Sequence, residues 1–140
     1  MSSTTNAASR TLALAGVLGF LGVALGAFGA HGLEGAMADA PDGAKRLAWW
    51  HTAVQYHLWH TLLLVGVGLW RRFDDAARGL GVATVAIVVG VALFSGSLYA
   101  MTLSGITKLG MVTPLGGVAF LVAWGCVVVT ALRTRGVQSS

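Results

Sequence analysis

The chain has 140 residues, 56% of them apolar and only 10% charged, with a formal charge of +4 and a mean hydropathy of +0.77. So little polar surface excludes a soluble globular domain and requires lipid as solvent. The basic residues stand mainly at the ends of apolar segments, where they act as topology signals, so no nucleic-acid partner is expected; the lone Cys126 excludes an internal disulfide.

In chain order, residues 1–10 read as a polar cytoplasmic tail and a first membrane span is expected over 11–30. Arg10 ahead of an apolar run resembles a signal peptide, but the run approaches 20 residues, too long for the usual h-region of about 7 to 15. At about 100° per residue, Gly19, Gly22, Gly26, Gly29 and Gly32 fall within roughly 140° of one another. Small residues let helix backbones approach in a membrane, so this face is expected to pack on another helix of the chain, with self-association through Gly22 and Gly26 as the alternative. The segment from His31 to Leu47 follows as the longest loop and carries Glu34, Asp39 and Asp42. A metal site from His31, His51 and Glu34 would need the outer ends of the first two spans to touch.

The second span, expected over 48–70, is the most informative. Ionisable groups in hydrocarbon are costly and ordinarily face protein or water, yet its outer half holds His51, Gln55, Tyr56, His57 and His60. With His51 at zero, Tyr56, His60 and His57 lie at about 140°, 180° and 240°, and the face continues as Leu63, Leu64 and Val67. Helical rise puts His57 about 13 Å and His60 about 18 Å from the helix start, the latter near mid-membrane. Trp49, Trp50 and Trp70 read as interfacial aromatics.

The third span is expected over 79–103. Ser95 reaches the depth of His57 and Tyr99 lies nearer the surface, so hydroxyls of this helix are expected to satisfy a buried imidazole. The fourth, over 114–132, opens with Thr113 as N-cap and Pro114 at the first helical position, followed by Gly116 and Gly117 for close approach; Gly96 is given the same role on the third span. Residues 133–140 form a second tail. Arg10, Arg71, Arg72, Arg78, Arg133 and Arg135 share the side of the termini, against Lys45, Arg46 and Lys108 opposite. Both termini are therefore expected in the cytoplasm.

HExxH, CxxC, GxSxG and a Walker glycine loop are all absent, so an enzyme is not expected. A bis-histidine haem needs imidazoles from two sides, and three of the four histidines lie on one helix; no cofactor is predicted.

Four motifs carry a resemblance: Gly26-Ala27-Phe28-Gly29-Ala30-His31-Gly32-Leu33, Thr52-Ala53-Val54-Gln55-Tyr56-His57-Leu58-Trp59-His60, Phe94-Ser95-Gly96-Ser97-Leu98-Tyr99 and Thr113-Pro114-Leu115-Gly116-Gly117. In that order, from Leu12 to about Trp124, the chain resembles the DUF423 family of small bacterial membrane proteins and is similar to the transmembrane protein 256 group. The resemblance implies four transmembrane helices, no established activity, and signature positions at His31, Tyr56, His60, Ser95, Gly96, Tyr99, Pro114, Gly116 and Gly117. His51 departs from the pattern, which commonly has an acidic residue there.

The expectation is an all-α integral membrane bundle of four helices in the bacterial cytoplasmic membrane. It is read as a non-enzymatic structural or accessory component that packs with itself or with a larger membrane complex. The alternative is a small transporter or binding protein for a ligand, metal ion or protons at His31, Tyr56, His57, His60, Ser95 and Tyr99.

Overall fold

A computed structural model describes residues 3–74 and 79–137. The described residues are all helical or in short connectors, and they form four rods. The first is α1 (Ser3–Phe28), which runs through a π-helical turn, Gly29–Leu33, into α2 (Glu34–Met37). The second is α3 (Gly43–Phe73); the third is α4 (Leu80–Gly90), a π turn Val91–Ser95 and α5 (Gly96–Ser104). A 3₁₀ turn, Thr107–Met111, leads into the fourth rod, α6 (Thr113–Val137).

The helices outrun the expected spans at most of their ends. Ser3 to Arg10, expected as a tail, already belong to α1, and α6 continues to Val137; Met1, Ser2 and residues 138–140 lie outside the described residues, as does Arg78. The expected loop from His31 to Leu47 contracts to residues 38–42. Apolar composition marks where hydrocarbon ends, whereas a helix continues for as long as its backbone bonds are best satisfied internally.

Three rods are long and apolar enough to cross a membrane: Asn6–Met37, Leu80–Ser104 and Thr107–Arg133. The 31-residue α3 is too polar to join them by composition, because the uncharged stretch between Arg46 and Arg71 carries His51, Gln55, His57 and His60. Its position accounts for this. It packs on α1, α4 and α5 and stacks a ring on α6, so its polar groups His57 and His60 are 3% and 6% exposed. Outward faces are apolar instead: Phe20 is 75%, Leu62 68% and Leu121 72% exposed, the arrangement that lipid stabilises and water does not.

One core gathers Leu64 and Val67 of α3, Leu80 and Ile87 of α4, and Phe120 and Ala123 of α6, reaching α1 at Ala15. A smaller one joins Ala53 to Leu98 and Met101. Between α1 and α3 the contact runs along the glycine face: a methyl at Gly19 would meet Thr61, at Gly22 Leu58 and His57, at Gly26 Val54 and at Gly29 Trp50. The Gly22 contact is the tight one of the inner pair, with Leu58 Cδ2 2.6 Å from the position of an added Cβ. Gly22→Leu is accordingly expected to lower the melting temperature in mild detergent more than Leu21→Ala, whose side chain is 44% exposed. Equal melting temperatures would contradict that packing.

The end of the third rod away from the termini is closed by α3. Gly105, at φ +72°, takes the left-handed turn that ends α5 and donates its N–H to the Met101 carbonyl. Arg46 then donates Nε to the Thr102 carbonyl at 2.7 Å and Nη2 to the Leu103 carbonyl at 3.0 Å, while the Thr102 hydroxyl donates to the Arg46 carbonyl at 3.0 Å. The free carbonyls of a helix end thus receive a cation. Arg46 is more than the topology charge that sequence spacing makes of it.

Candidate functional site

Tyr56, His57 and His60 leave α3 in two directions, not one. His57 turns toward α1 and α5, where Tyr99 hydroxyl lies 3.3 Å from its Nδ1 and Gly22 faces its Cδ2. Tyr56 and His60 turn toward Phe94 and α6. The expected single polar cluster is therefore two sites on either side of α3. Side chains roughly 60 to 100° apart on a helix wedged between neighbours reach different partners.

The first site is a closed interhelical junction. Trp50, 1% exposed, donates Nε1–H to the Leu25 carbonyl at 3.0 Å and packs on Phe28 and Tyr99, centroids 5.6 and 4.6 Å away. It is a staple between three rods rather than a lipid-facing anchor. Nε2 of His57 and Oγ of the fully buried Ser95 have no hydrogen-bond partner among the described residues; the Leu18 backbone lies near the imidazole without a bond of acceptable geometry. Ser95 thus does not satisfy an imidazole; Tyr99, one turn on, holds that role for His57.

The second site opens sideways between α3 and α6. Nδ1 of His60 lies 2.8 Å from the Tyr56 carbonyl. A carbonyl only accepts, so in the neutral ring Nδ1 carries the hydrogen and Nε2 is left as an acceptor. The imidazole stacks on Phe120, centroids 3.5 Å apart and planes 12° apart, and Tyr56 stacks on Phe94 at 4.5 Å. Together with Gly117 and Trp124 these side chains line a pocket of about 710 Å³, and neither the Tyr56 hydroxyl nor His60 Nε2 hydrogen-bonds to the described residues. Such a pocket, apolar with two polar groups, is the usual form of a small-molecule site. His60→Ala is expected to cost on the order of 2 kcal/mol through loss of the stack on Phe120. His60→Phe should recover most of it and His60→Gln little, read as melting temperature; recovery by Gln alone would show that hydrogen bonding outweighs stacking.

The remaining residues expected at a site fall elsewhere. His31 is exposed in the first π turn, Glu34 on α2 and His51 on α3, and among the described residues no three His, Cys, Asp or Glu side chains are grouped to hold a metal ion. Thr113 is the first residue of α6, and its hydroxyl pairs with Ser97 at 2.7 Å where a cap was expected. Pro114 lines the pocket's rim. A Cβ at Gly116 would collide with the Phe94 backbone, whereas Gly96 and Gly117 would meet nothing closer than 3.9 Å. Phe94, Phe120 and Trp124 do not stand out in the sequence. A signal for Phe120 is nonetheless present there, since Gly116, Phe120, Ala123 and Val127 repeat at helical spacing on one face.

Comparison with known proteins places these features in a family. Residues 25–117 match the model of a protein of unknown function, DUF423, a stretch that includes both sites except for Leu18 and Gly22 of α1 and the α6 residues beyond Gly117. The chain is 46% identical to the UPF0382 membrane protein YwdK of Bacillus subtilis, over 86% of this chain and 94% of that one. It is 40% identical to the UPF0382 inner membrane protein YgdD of Escherichia coli K12, over 89% and 90%, and 36% identical to the UPF0382 membrane protein SERP0230 of Staphylococcus epidermidis, over 83% and 89%. No solved structure matches.

Proposed function

The chain belongs to the DUF423 family of membrane proteins, and we propose that it is a non-enzymatic accessory component that binds a molecule dissolved in the bilayer. The observation that carries this reading is the lateral pocket between α3 and α6. Its walls are aromatic and aliphatic, its mouth faces where acyl chains run, and two of its polar atoms, an acceptor on His60 and a hydroxyl on Tyr56, have no partner among the described residues. The fitting ligand is a planar, mainly apolar compound with one hydroxyl or carbonyl. Self-association through the glycine face has less support, since Gly22, Gly26 and Gly29 are covered by α3 of the same chain.

All four rods cross the membrane in this reading, with α3 shielded by the others and both termini cytoplasmic. The excess of arginine at the end that carries the termini supports the orientation. Reporter fusions after Ser140 and near Asp42 are expected to give opposite signals, and equal signals would refute four crossings.

Gly117 offers the functional test. An added Cβ there meets only Phe94 Cδ2 at 3.9 Å, so Gly117→Leu puts a side chain beside the pocket without forcing the backbones apart. Organic extracts of protein purified in mild detergent should contain a stoichiometric small molecule from the wild type and lack it from Gly117→Leu, with melting temperature retained apart from the ligand's contribution. A wild-type protein without such a molecule, or a variant that retains it, would overturn the proposal.

A further inference from the structure

At the end of the bundle that carries the termini, a second cavity of about 430 Å³ lies between the start of α1 and the start of α4, and Arg71 of α3 forms part of its wall. Arg71 is held from two sides. Its Nη1 donates to the Thr11 hydroxyl at 3.0 Å and the Thr84 hydroxyl at 3.3 Å. Both hydroxyls pass their own hydrogens to helix carbonyls, Thr11 to Ala7 and Thr84 to Leu80, so their lone pairs are what remains for the guanidinium. Thr11 is 1% exposed, which makes this a built arrangement of buried polar groups.

Neutral hydroxyls orient the guanidinium without cancelling its charge. The described residues that line the cavity add a second arginine, Arg10, and the amide of Asn6, and include no carboxylate. The walls become apolar at Leu14, about one turn beyond Thr11, and at Val85, next to Thr84, which are 44% and 63% exposed on the bundle's flank. A cationic head region above an apolar flank matches a phosphate attached to hydrocarbon chains. Arginine's planar fork suits phosphate oxygens, and basic pockets between helices at a membrane face recognise anionic headgroups.

We infer that the cleft formed by Arg10, Thr11, Arg71 and Thr84 binds the phosphate headgroup of an anionic phospholipid, whose acyl chains lie along Leu14 and Val85. This site is separate from the aromatic pocket, and its binding does not depend on which side of the membrane the termini occupy.

The test uses the purified full-length protein, stripped of lipid in mild detergent and titrated with phosphatidylglycerol, with phosphatidylcholine, or with inorganic phosphate alone, while native mass spectrometry counts bound lipid and melting temperature is followed. Phosphatidylglycerol should be retained and raise the melting temperature; the other two should do neither. Arg10→Gln and Arg71→Gln should each weaken retention about tenfold, the scale of one charge-assisted hydrogen bond, while Arg72→Gln, whose exposed side chain lies outside the cleft, should not. Arg10 is exposed, so its variant tests the site even if Arg71→Gln does not fold. Equal binding of the two lipids, an equal effect of inorganic phosphate, or equal losses in Arg10→Gln and Arg72→Gln would overturn the inference.

Discussion

Gly116→Ala is expected to cost about 3 kcal/mol or more, beyond what a single methyl costs at most sites, because the added Cβ would fall on the backbone of Phe94. Overpacking ordinarily costs about 1 to 3 kcal/mol, and neighbouring side chains relieve part of it by changing rotamer. Here the obstacle is a main-chain N and Cα, with the Cα 2.8 Å away, inside the π turn that joins α4 to α5. Relief would require the third and fourth rods to separate, and this would also break the Ser97–Thr113 hydroxyl pair. Gly117→Ala, one residue on, should be nearly neutral. Thermal unfolding of the two variants in one detergent checks the difference; similar melting temperatures would mean that the rods approach less closely than the structure has them.

Trp50→Ala is expected to lower stability by about 3 to 5 kcal/mol, the usual range for truncating a buried large aromatic side chain. The residue fills the space over Gly29, touches Phe28 and Tyr99 and donates to Leu25, so three rods lose contact at once. Trp50→Phe keeps a ring but removes the donor and should cost less, with about 1 kcal/mol of it from the hydrogen bond. Chemical or thermal unfolding followed by circular dichroism should rank wild type above Phe above Ala. Equal losses for Phe and Ala would assign the residue's role to its hydrogen bond rather than its volume.

The rods themselves are legible in the sequence because four apolar runs separated by charged or glycine-containing breaks leave few other arrangements in lipid. Periodicity does not supply which neighbour each side chain meets. Tyr56, His57 and His60 fit within one face on a helical wheel, yet α3 is wedged between α1 and the third rod, and a modest angular difference sends His57 to Tyr99 and His60 to Phe120 of α6. Depth counting pairs Ser95 with His57 but misses by one turn. Rise fixes the level of a residue on its helix, but neither the face it projects from nor the reach of its ring, which is how Tyr99 and not Ser95 meets His57. Trp50 is misleading for a related reason: its position near a helix end suggests an interfacial ring, and only the absence of a side chain at Gly29 across the junction makes room to bury it.

If the pocket beside His60 and Tyr56 holds a molecule taken from the bilayer, the most direct measurement is an experimental density map of the wild-type protein extracted with its native lipids and inspected between α3 and α6. Non-protein density is expected there, flat or elongated, reaching His60 Nε2 or the Tyr56 hydroxyl and touching Phe120. A pocket closed by its own side chains, or density no different from the annular lipid around the other faces, would contradict bilayer-ligand binding at this site.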